Sequence, residues 1–483
     1  MKTHRLKWTG IPTLAAALAL TAGGLRAEDR QAPVYRAEDC CNLCPAAADA
    51  SLYATSYMKN FVTLVQGNES DWLFRSREDL RTEFGTTPEG YRQLKQLREA
   101  FKRHGIELVV VYQPTRGMVN RSKLAPVQRA SFDFDKAVKN YRQTLARFAE
   151  LGFWVPDLTP LTDEQAEPAF YFRGDQHWTS YGAQRTAKIV AETVKKIPGF
   201  DGIPHKEFVT RTQGRMGKRG TLHRVAGQLC ETTYAFEYSD QFFTEPKGES
   251  GGDDLFGEGG LPQITLVGTS HSGQNYNFAG FLSEHIGADI LNVAFPGGGL
   301  EGSMLEYLSS DEFRQHPPKI LIWEFSPLYD LASDKFYRQA LALLDDNACE
   351  SGPSLLVAKA TLRPGAGSKE ILVNGVDKLV EASNAGHQLD IRFSDPSVKN
   401  LEGTLWYMSG RREQVKFDKP TTAETNGRFA FRLRDDGEWA GLSFFALEIQ
   451  PPEGLKEPVE VEARLCKRHD NRAPANLTAR SGN

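Results

Sequence analysis

Neither a Walker loop nor an H-E-x-x-H motif occurs in the 483 residues, so a P-loop nucleotide site and a zinc-protease site have no footing. Cysteine is scarce, at six residues. Cys41 and Cys44 form a C-x-x-C, but no second pair follows to complete a zinc site and no strand precedes it as in a thioredoxin-like redox centre. An excess of positive charge is missing too. The 58 Lys and Arg residues stand against 62 Asp and Glu, a formal charge of −4, which argues against a general nucleic-acid binder. Beyond residue 27 no apolar run comes near the roughly 20 residues that a bilayer crossing needs. What is present suffices for a large core. Hydrophobic residues make up 40% of the chain and charged ones 25%, which excludes wholesale disorder, and the length suits two or three domains.

The start of the chain reads as a secretory signal peptide over residues 1–27, with Lys2, Arg5 and Lys7, an apolar run at 11–22, and Leu25-Arg26-Ala27 at the end. The apolar run is too short to be a membrane anchor. Cleavage would remove Lys2, Arg5, Lys7 and Arg26 and no acidic residue, taking the formal charge from −4 to −8. A soluble, exported and distinctly acidic protein is expected. Export favours disulfides among Cys40, Cys41, Cys44, Cys230, Cys349 and Cys466, whose pairing the sequence leaves open. Cys349 and Cys466 bracket the last third of the chain, as a staple around one module would.

Hydrophobic periodicity divides the rest. Thr87 and Pro88 supply a cap and first-turn proline for a helix with Tyr91, Leu94, Leu97 and Phe101 on one face, ended at Gly105. A buried strand at 106–112, a helix carrying Val138, Tyr141, Leu145 and Phe148, a short strand at 153–155 and a helix at 181–197 follow. Continuous apolar runs at 264–267, 290–294 and 320–325 are those of strands covered on both faces, hence an α/β domain with a parallel sheet. After about residue 350, short runs at 389–393, 404–408, 428–433 and 442–449 alternate with turns and read as a β-sandwich. The Gly-rich, charged stretch 201–260 reads as a long loop insertion near the site.

Three features could carry chemistry. The strand at 264–267 runs into Gly268-Thr269-Ser270, which places Ser270 at a strand's C-terminal end where a nucleophile is exposed. Asp175 and His177 stand two residues apart before a helix, so Asp175 can hold the imidazole while its other nitrogen faces a serine. Pro296 to Gly299 forms a turn after a strand, and the amides of Gly298 and Gly299 could stabilise an oxyanion. Each alone has an ordinary alternative: a structural turn at Ser270, a helix cap at Asp175 with His177 packed on Trp178, a plain loop at the glycines. Together they point to acyl transfer.

Longer motifs add a resemblance. Gly-Thr-Ser at 268–270, Gly-Asp-Gln-His-Trp at 174–178, Val-Val-Val-Tyr-Gln-Pro-Thr-Arg at 109–116, Ile-Trp-Glu-Phe at 322–325 and Leu-Trp-Tyr-Met-Ser-Gly-Arg-Arg at 405–412 resemble the AlgX family of alginate O-acetyltransferases over nearly the whole mature chain. The resemblance implies an SGNH-hydrolase-like three-layer α/β/α domain with a parallel sheet at 28–345, a β-sandwich carbohydrate-binding module at 346–475, and a disordered tail at 476–483. It makes Ser270 the nucleophile, His177 the general base and Asp175 its orienting partner, in the reverse of the usual chain order. It also places Tyr276, Tyr329 and Arg116 along the site, and Thr404, Trp406 and Arg412 on the polymer. The implied disulfides are Cys44 with Cys230 and Cys349 with Cys466, leaving Cys40 and Cys41 extra. Glu402 departs from a lysine that the family can offer, and Gln176 from a histidine. The implied setting is the periplasm, with alginate or polymannuronate and other acetylation and export proteins as partners, and with neither metal nor cofactor. An acetylesterase of the same fold and a catalytically silent polysaccharide-binding scaffold are the alternatives.

Overall fold

Thr87 accepts the Gly90 N–H at 3.1 Å and Pro88 takes the first position of the helix Pro88–Arg103. Leu94, Leu97, Ala100 and Phe101 are buried on one side of it, and Gly105 carries the chain out with φ +71°. That turn delivers a parallel strand. This is the rhythm of the first part of the molecule. The computed structural model describes residues 43–163, 167–248, 261–345, 349, 352–376, 378–419, 423–424 and 426–469. The expected signal peptide at 1–27, Cys40, Cys41 and the expected tail at 476–483 lie outside the described residues.

Strands β1 (Leu64–Gln66) and β2 (Leu73–Arg75) form a small antiparallel pair. Then come β3 (Glu107–Tyr112), β4 (Phe208–Lys218), β5 (Glu237–Pro246), β6 (Ile264–Gly268), β7 (Ile290–Asn292) and β8 (Ile320–Phe325). The parallel sheet has the order β3-β8-β6-β7, with Val109 and Leu266 both opposite Ile322. Every residue of β6 and β8 is buried. Side chains alternate between faces, so both faces are covered, as the unbroken apolar runs require. Glu324 is the charge inside β8. The expected strand at 153–155 reduces to a single bridge between Trp154 and Val109.

Over its described residues, 201–248, the stretch expected as a loop insertion is ordered. β4 and β5 form a long antiparallel ribbon, bulged near Gly214, and the helix Thr221–Cys230 lies between them. Cys230, at that helix's end, is bonded to Cys44.

The last part is a two-sheet sandwich of β9 (Ser354–Leu362), β10 (Lys369–Val373), β11 (His387–Phe393), β12 (Asn400–Tyr407), β13 (Arg412–Asp418), β14 (Arg428–Arg432), β15 (Phe444–Ile449) and β16 (Val459–Lys467). The sheet orders are β10-β15-β12-β13 and β14-β11-β16-β9, and Leu405, Phe417 and Leu447 of the first share a core with Ile391, Phe431 and Leu465 of the second. Cys349 and Cys466 are bonded, tying the chain before β9 to β16. The helix Asp334–Leu343 packs on β14, and its Arg338 donates to Glu413 at 2.5 Å and to the Arg432 carbonyl at 2.8 Å. Both charged groups are buried, so removing one would strand the other at a cost of about 3–5 kcal/mol.

Candidate active site

Ser270 opens a 3₁₀ turn directly after β6, with the Thr269 hydroxyl capping it by accepting the His271 N–H at 3.2 Å. His177 Nε2 lies 2.7 Å from Ser270 Oγ. On its other side His177 Nδ1 meets Asp175 Oδ1, which also accepts the His177 backbone N–H at 2.9 Å. With Nδ1–H donating to the carboxylate, Nε2 is left to accept the serine proton. Asp175 is fully buried and His177 is 9% exposed. Asp175 does not cap the following helix. Thr179 does that, and Asp175 Oδ2 instead accepts the Thr221 N–H at 2.7 Å, at the start of the helix Thr221–Cys230.

Two glycines allow that contact. An added Cβ on Gly220 would lie 1.9 Å from the Gly174 carbonyl oxygen, and one on Gly174 would lie 2.1 Å from the His223 ring. The segment 173–177 and the insertion are therefore interlocked. Glu237 of β5 completes the clasp by accepting the Arg173 N–H at 2.9 Å, and burial pushes its carboxyl up to about 7. Lys218, the last residue of β4, places Nζ 3.2 Å from Asp175 Oδ1 and donates to the Tyr276 hydroxyl. Tyr276 stacks on the His177 ring at 5.4 Å.

The electrostatics favour a carboxylate beside a neutral imidazole. Burial raises the Asp175 pKa, but its interactions with His177, followed by Lys218, outweigh it and hold the carboxyl well below its usual range. Burial lowers the His177 pKa, Asp175 opposes this, and Lys218 lowers it further. His271 packs 4.7 Å from the His177 ring and is pushed down, chiefly by burial. Beneath the turn, Glu324 accepts the Thr269 N–H at 2.9 Å and the Ser272 hydroxyl at 2.8 Å, and also takes a bond from Gln113. Burial raises Glu324 to about 7 against those bonds.

Arg116 does not line the site. It is 1% exposed, and its guanidinium donates to Asp79 and to the carbonyls of Leu73, Phe172 and Arg173, so it braces the chain leading to Asp175. The Gly298 N–H closes a turn onto the Phe295 carbonyl at 3.4 Å and is not offered as an oxyanion donor. Gly298, Gly299 and Tyr329 border a separate cavity of about 380 Å³ beside Asp418 and Lys419. Gly297, Gly299 and Gly302 have the spacing of a dinucleotide fingerprint. The cavity nevertheless carries Glu301, Glu306, Asp330, Asp418 and Glu424 against Lys419, a lining that repels a diphosphate.

In the module the expected polymer residues share one sheet face. The β12–β13 register sets Glu402 opposite Lys416, Thr404 opposite Gln414 and Trp406 opposite Arg412. Arg412 lies 5.8 Å from the Trp406 ring, and Thr404 donates to Gln414 at 3.2 Å. Among the described residues no cluster of three or more His, Cys, Asp or Glu could hold a metal ion, and no helix is long and apolar enough to cross a membrane.

Lys218, Thr221 and Glu237 have no place in the sequence analysis above, and Glu324 stands there only inside the motif at 322–325, without a role. Only Glu324, an acid inside an apolar run, gives any signal there.

A parallel sheet with a serine at the end of an inner strand is the frame of an SGNH-hydrolase-like domain, and the appended sandwich is that of a carbohydrate-binding module. Family models agree: one described as the SGNH hydrolase-like domain of the acetyltransferase AlgX matches residues 64–327, and one described as a C-terminal carbohydrate-binding module matches residues 348–479. The alginate biosynthesis protein AlgX of Azotobacter vinelandii is 74% identical over 485 residues, with 100% of both chains covered. AlgX of Pseudomonas aeruginosa is 50% identical over 480 residues, covering 99% of this chain and 100% of its own. A solved structure of Pseudomonas aeruginosa AlgX superimposes with a TM-score of 0.82 at 50% identity, covering 88% of this chain and 100% of that one. The chain belongs to the AlgX family.

Proposed function

We propose that the protein is a periplasmic O-acetyltransferase that moves acetyl groups onto mannuronate residues of alginate through an acetyl-serine intermediate. The observation that supports this most is the run of contacts from Ser270 Oγ to His177 Nε2 and from His177 Nδ1 to Asp175. His177 takes the Ser270 proton as the hydroxyl oxygen attacks the acetyl carbonyl of a donor, then returns that proton to the leaving group. The developing oxyanion faces the Ser270 N–H, which stands at the first position of its turn where no intrahelical partner exists. In the second half, His177 takes a proton from a sugar hydroxyl as its oxygen attacks the acetyl-serine, then returns that proton to Ser270 Oγ as the ester bond breaks. Thr404, Trp406 and Arg412 hold the polymer, with Arg412 on a uronate carboxylate. The protein works beside other periplasmic proteins of alginate acetylation and export.

The test is mass spectrometry of the protein after incubation with 4-nitrophenyl acetate, with and without deacetylated polymannuronate. The Ser270 peptide should gain one acetyl group and pass it to the polymer, and Ser270→Ala should do neither. Transfer at the wild-type rate by Ser270→Ala would sink the assignment. Acetate as the sole product in the presence of polymer would make the protein an esterase, and polymer binding without turnover would make it a scaffold.

A further inference from the structure

A serine–histidine–carboxylate relay is complete without a further cation, yet this site has one. Lys218 Nζ lies 3.2 Å from Asp175 Oδ1 and 3.4 Å from His177 Nδ1. Nδ1 and Nζ are both donors here, so the second approach is not a hydrogen bond but a positive charge set against the imidazole. The ammonium also donates to the Tyr276 hydroxyl and lies about 5 Å over the rings of Phe172 and Tyr276. Its side chain is 19% exposed, so little water screens it. Lys218 sits on the Nδ1 side of His177, opposite the nitrogen that meets Ser270, where it cannot take part in proton transfer from the serine.

The placement answers a problem of charge. While His177 is neutral, the fully buried Asp175 carboxylate needs a counter-ion, and a buried unpaired carboxylate is costly. Once an imidazolium forms, two cations share one carboxylate, which disfavours the imidazolium. Other groups do not substitute. Tyr276 is kept protonated by burial, and His271, tilted against the His177 ring, is kept neutral by burial. Arg75, from β2, acts on His177 in the same direction as Lys218, but its guanidinium is bonded to Asp79. Burial lowers the Lys218 pKa and the charge and hydrogen bond of Asp175 oppose this, while Glu237 of β5 and Arg224 of the neighbouring helix oppose each other.

We propose that Lys218 is a positioning residue of the acetyl-transfer site: its ammonium is the resting counter-ion of Asp175 and, set against the Nδ1 side of His177, disfavours the imidazolium, so that the ring stands ready to accept the Ser270 proton. This rests on Ser270 being the nucleophile. A cation that merely fastens the β4–β5 ribbon to Asp175 would be replaceable by any hydrogen-bond donor. A cation that sets the charge of His177 is replaceable only by another cation.

The experiment uses the full mature chain with Lys218→Met, Lys218→Gln and Lys218→Arg. The acid limb of kcat/KM for 4-nitrophenyl acetate reports ionisation in the free enzyme. Removing the cation frees Asp175 to stabilise the imidazolium, so His177 should hold its proton to higher pH. The limb should move up by about one pH unit or more in the Met and Gln variants, with the change in kcat rather than KM, and stay near wild type in the Arg variant. The same comparison by NMR titration of His177, made in a Ser270→Ala background, should show the same shift without turnover. That arm separates the two readings: turnover persisting in Ser270→Ala removes the nucleophile assignment, while an unmoved His177 titration removes Lys218. An unshifted limb in both Met and Gln, restoration by Gln, or an Arg limb displaced as far as that of Gln overturns the proposal. Should Lys218→Met fail to fold, the Gln and Arg variants decide it alone.

Discussion

Gly220→Ala adds one methyl group and no chemistry, and the structure fixes where that methyl goes. Gly220 has φ −61° and ψ 157°, a conformation open to alanine, so the effect is steric. The new Cβ would lie 1.9 Å from the Gly174 oxygen and 2.9 Å from Asp175 N. A close C···O contact needs about 3.3 Å, so the two segments must part by more than about 1 Å. The 2.7 Å bond from the Thr221 N–H to Asp175 Oδ2 spans that junction, and Asp175 in turn sets His177 against Ser270. Overpacking of this kind costs about 1–3 kcal/mol in stability. A displacement of about 1 Å at a reacting group costs on the order of 100-fold in rate. In steady-state assays of acetyl-ester turnover, kcat/KM should therefore fall by about two orders of magnitude, and Tm should drop by a few degrees. Gly367→Ala is the control, since its Cβ meets nothing within 4 Å and should change neither quantity. Wild-type turnover in Gly220→Ala would refute the claim that the 218–221 segment positions Asp175.

Replacing Cys349 and Cys466 with serine opens a loop with a sequence separation of 117. On the chain-entropy model this loses up to about 5 kcal/mol, read as a lower denaturant midpoint, and recovery of either wild-type thiol as free in non-reducing peptide mapping would contradict the pairing. Arg412→Ala should weaken polymannuronate binding, and wild-type affinity should fall with added salt because exposed charge pairs are screened. Salt-independent binding, or unchanged affinity in the variant, would exclude the proposed polymer contact at Arg412.

What was legible in the sequence follows from how local each signal is. Leu94, Leu97 and Phe101 repeat at helical spacing because one face of their helix is buried, and the runs of β6 and β8 are unbroken because both faces are. β4 and β5 escaped notice for the opposite reason. Most of their residues are exposed or half-buried, so no alternation marks them, and the bulge at Gly214 shifts what register there is. The same logic divides the site. Ser270 announces itself by following a strand, and Asp175 and His177 by standing two residues apart. Lys218 and Thr221 reach Asp175 only because the ribbon folds back across more than forty residues of sequence, which no local pattern records. Arg116 belongs to a motif that resembles the family's, yet its burial assigns it to bracing the chain.

The departure at residue 402 shows how an acidic chain could still hold an acidic polymer. Glu402 faces Lys416 across β12 and β13, and their charged groups lie 3.3 Å apart, so the acid's field is met locally. That pairing has a consequence: Lys416 is already engaged and contributes little further attraction. Arg411 is likewise occupied, pairing with Glu438 at 3.1 Å and leaning on Trp439 rather than Trp406. Arg412 differs from both. It is exposed, lies over the Trp406 ring, and among the described residues has no acidic partner within 4 Å. Of Arg411, Arg412 and Lys416, one available guanidinium thus remains, beside one half-buried aromatic. In the proposed function a uronate carboxylate would meet Arg412 while its ring lies against Trp406. An isolated cation of this kind should give a shallow salt dependence, with the aromatic contact carrying the part of the affinity that salt does not remove.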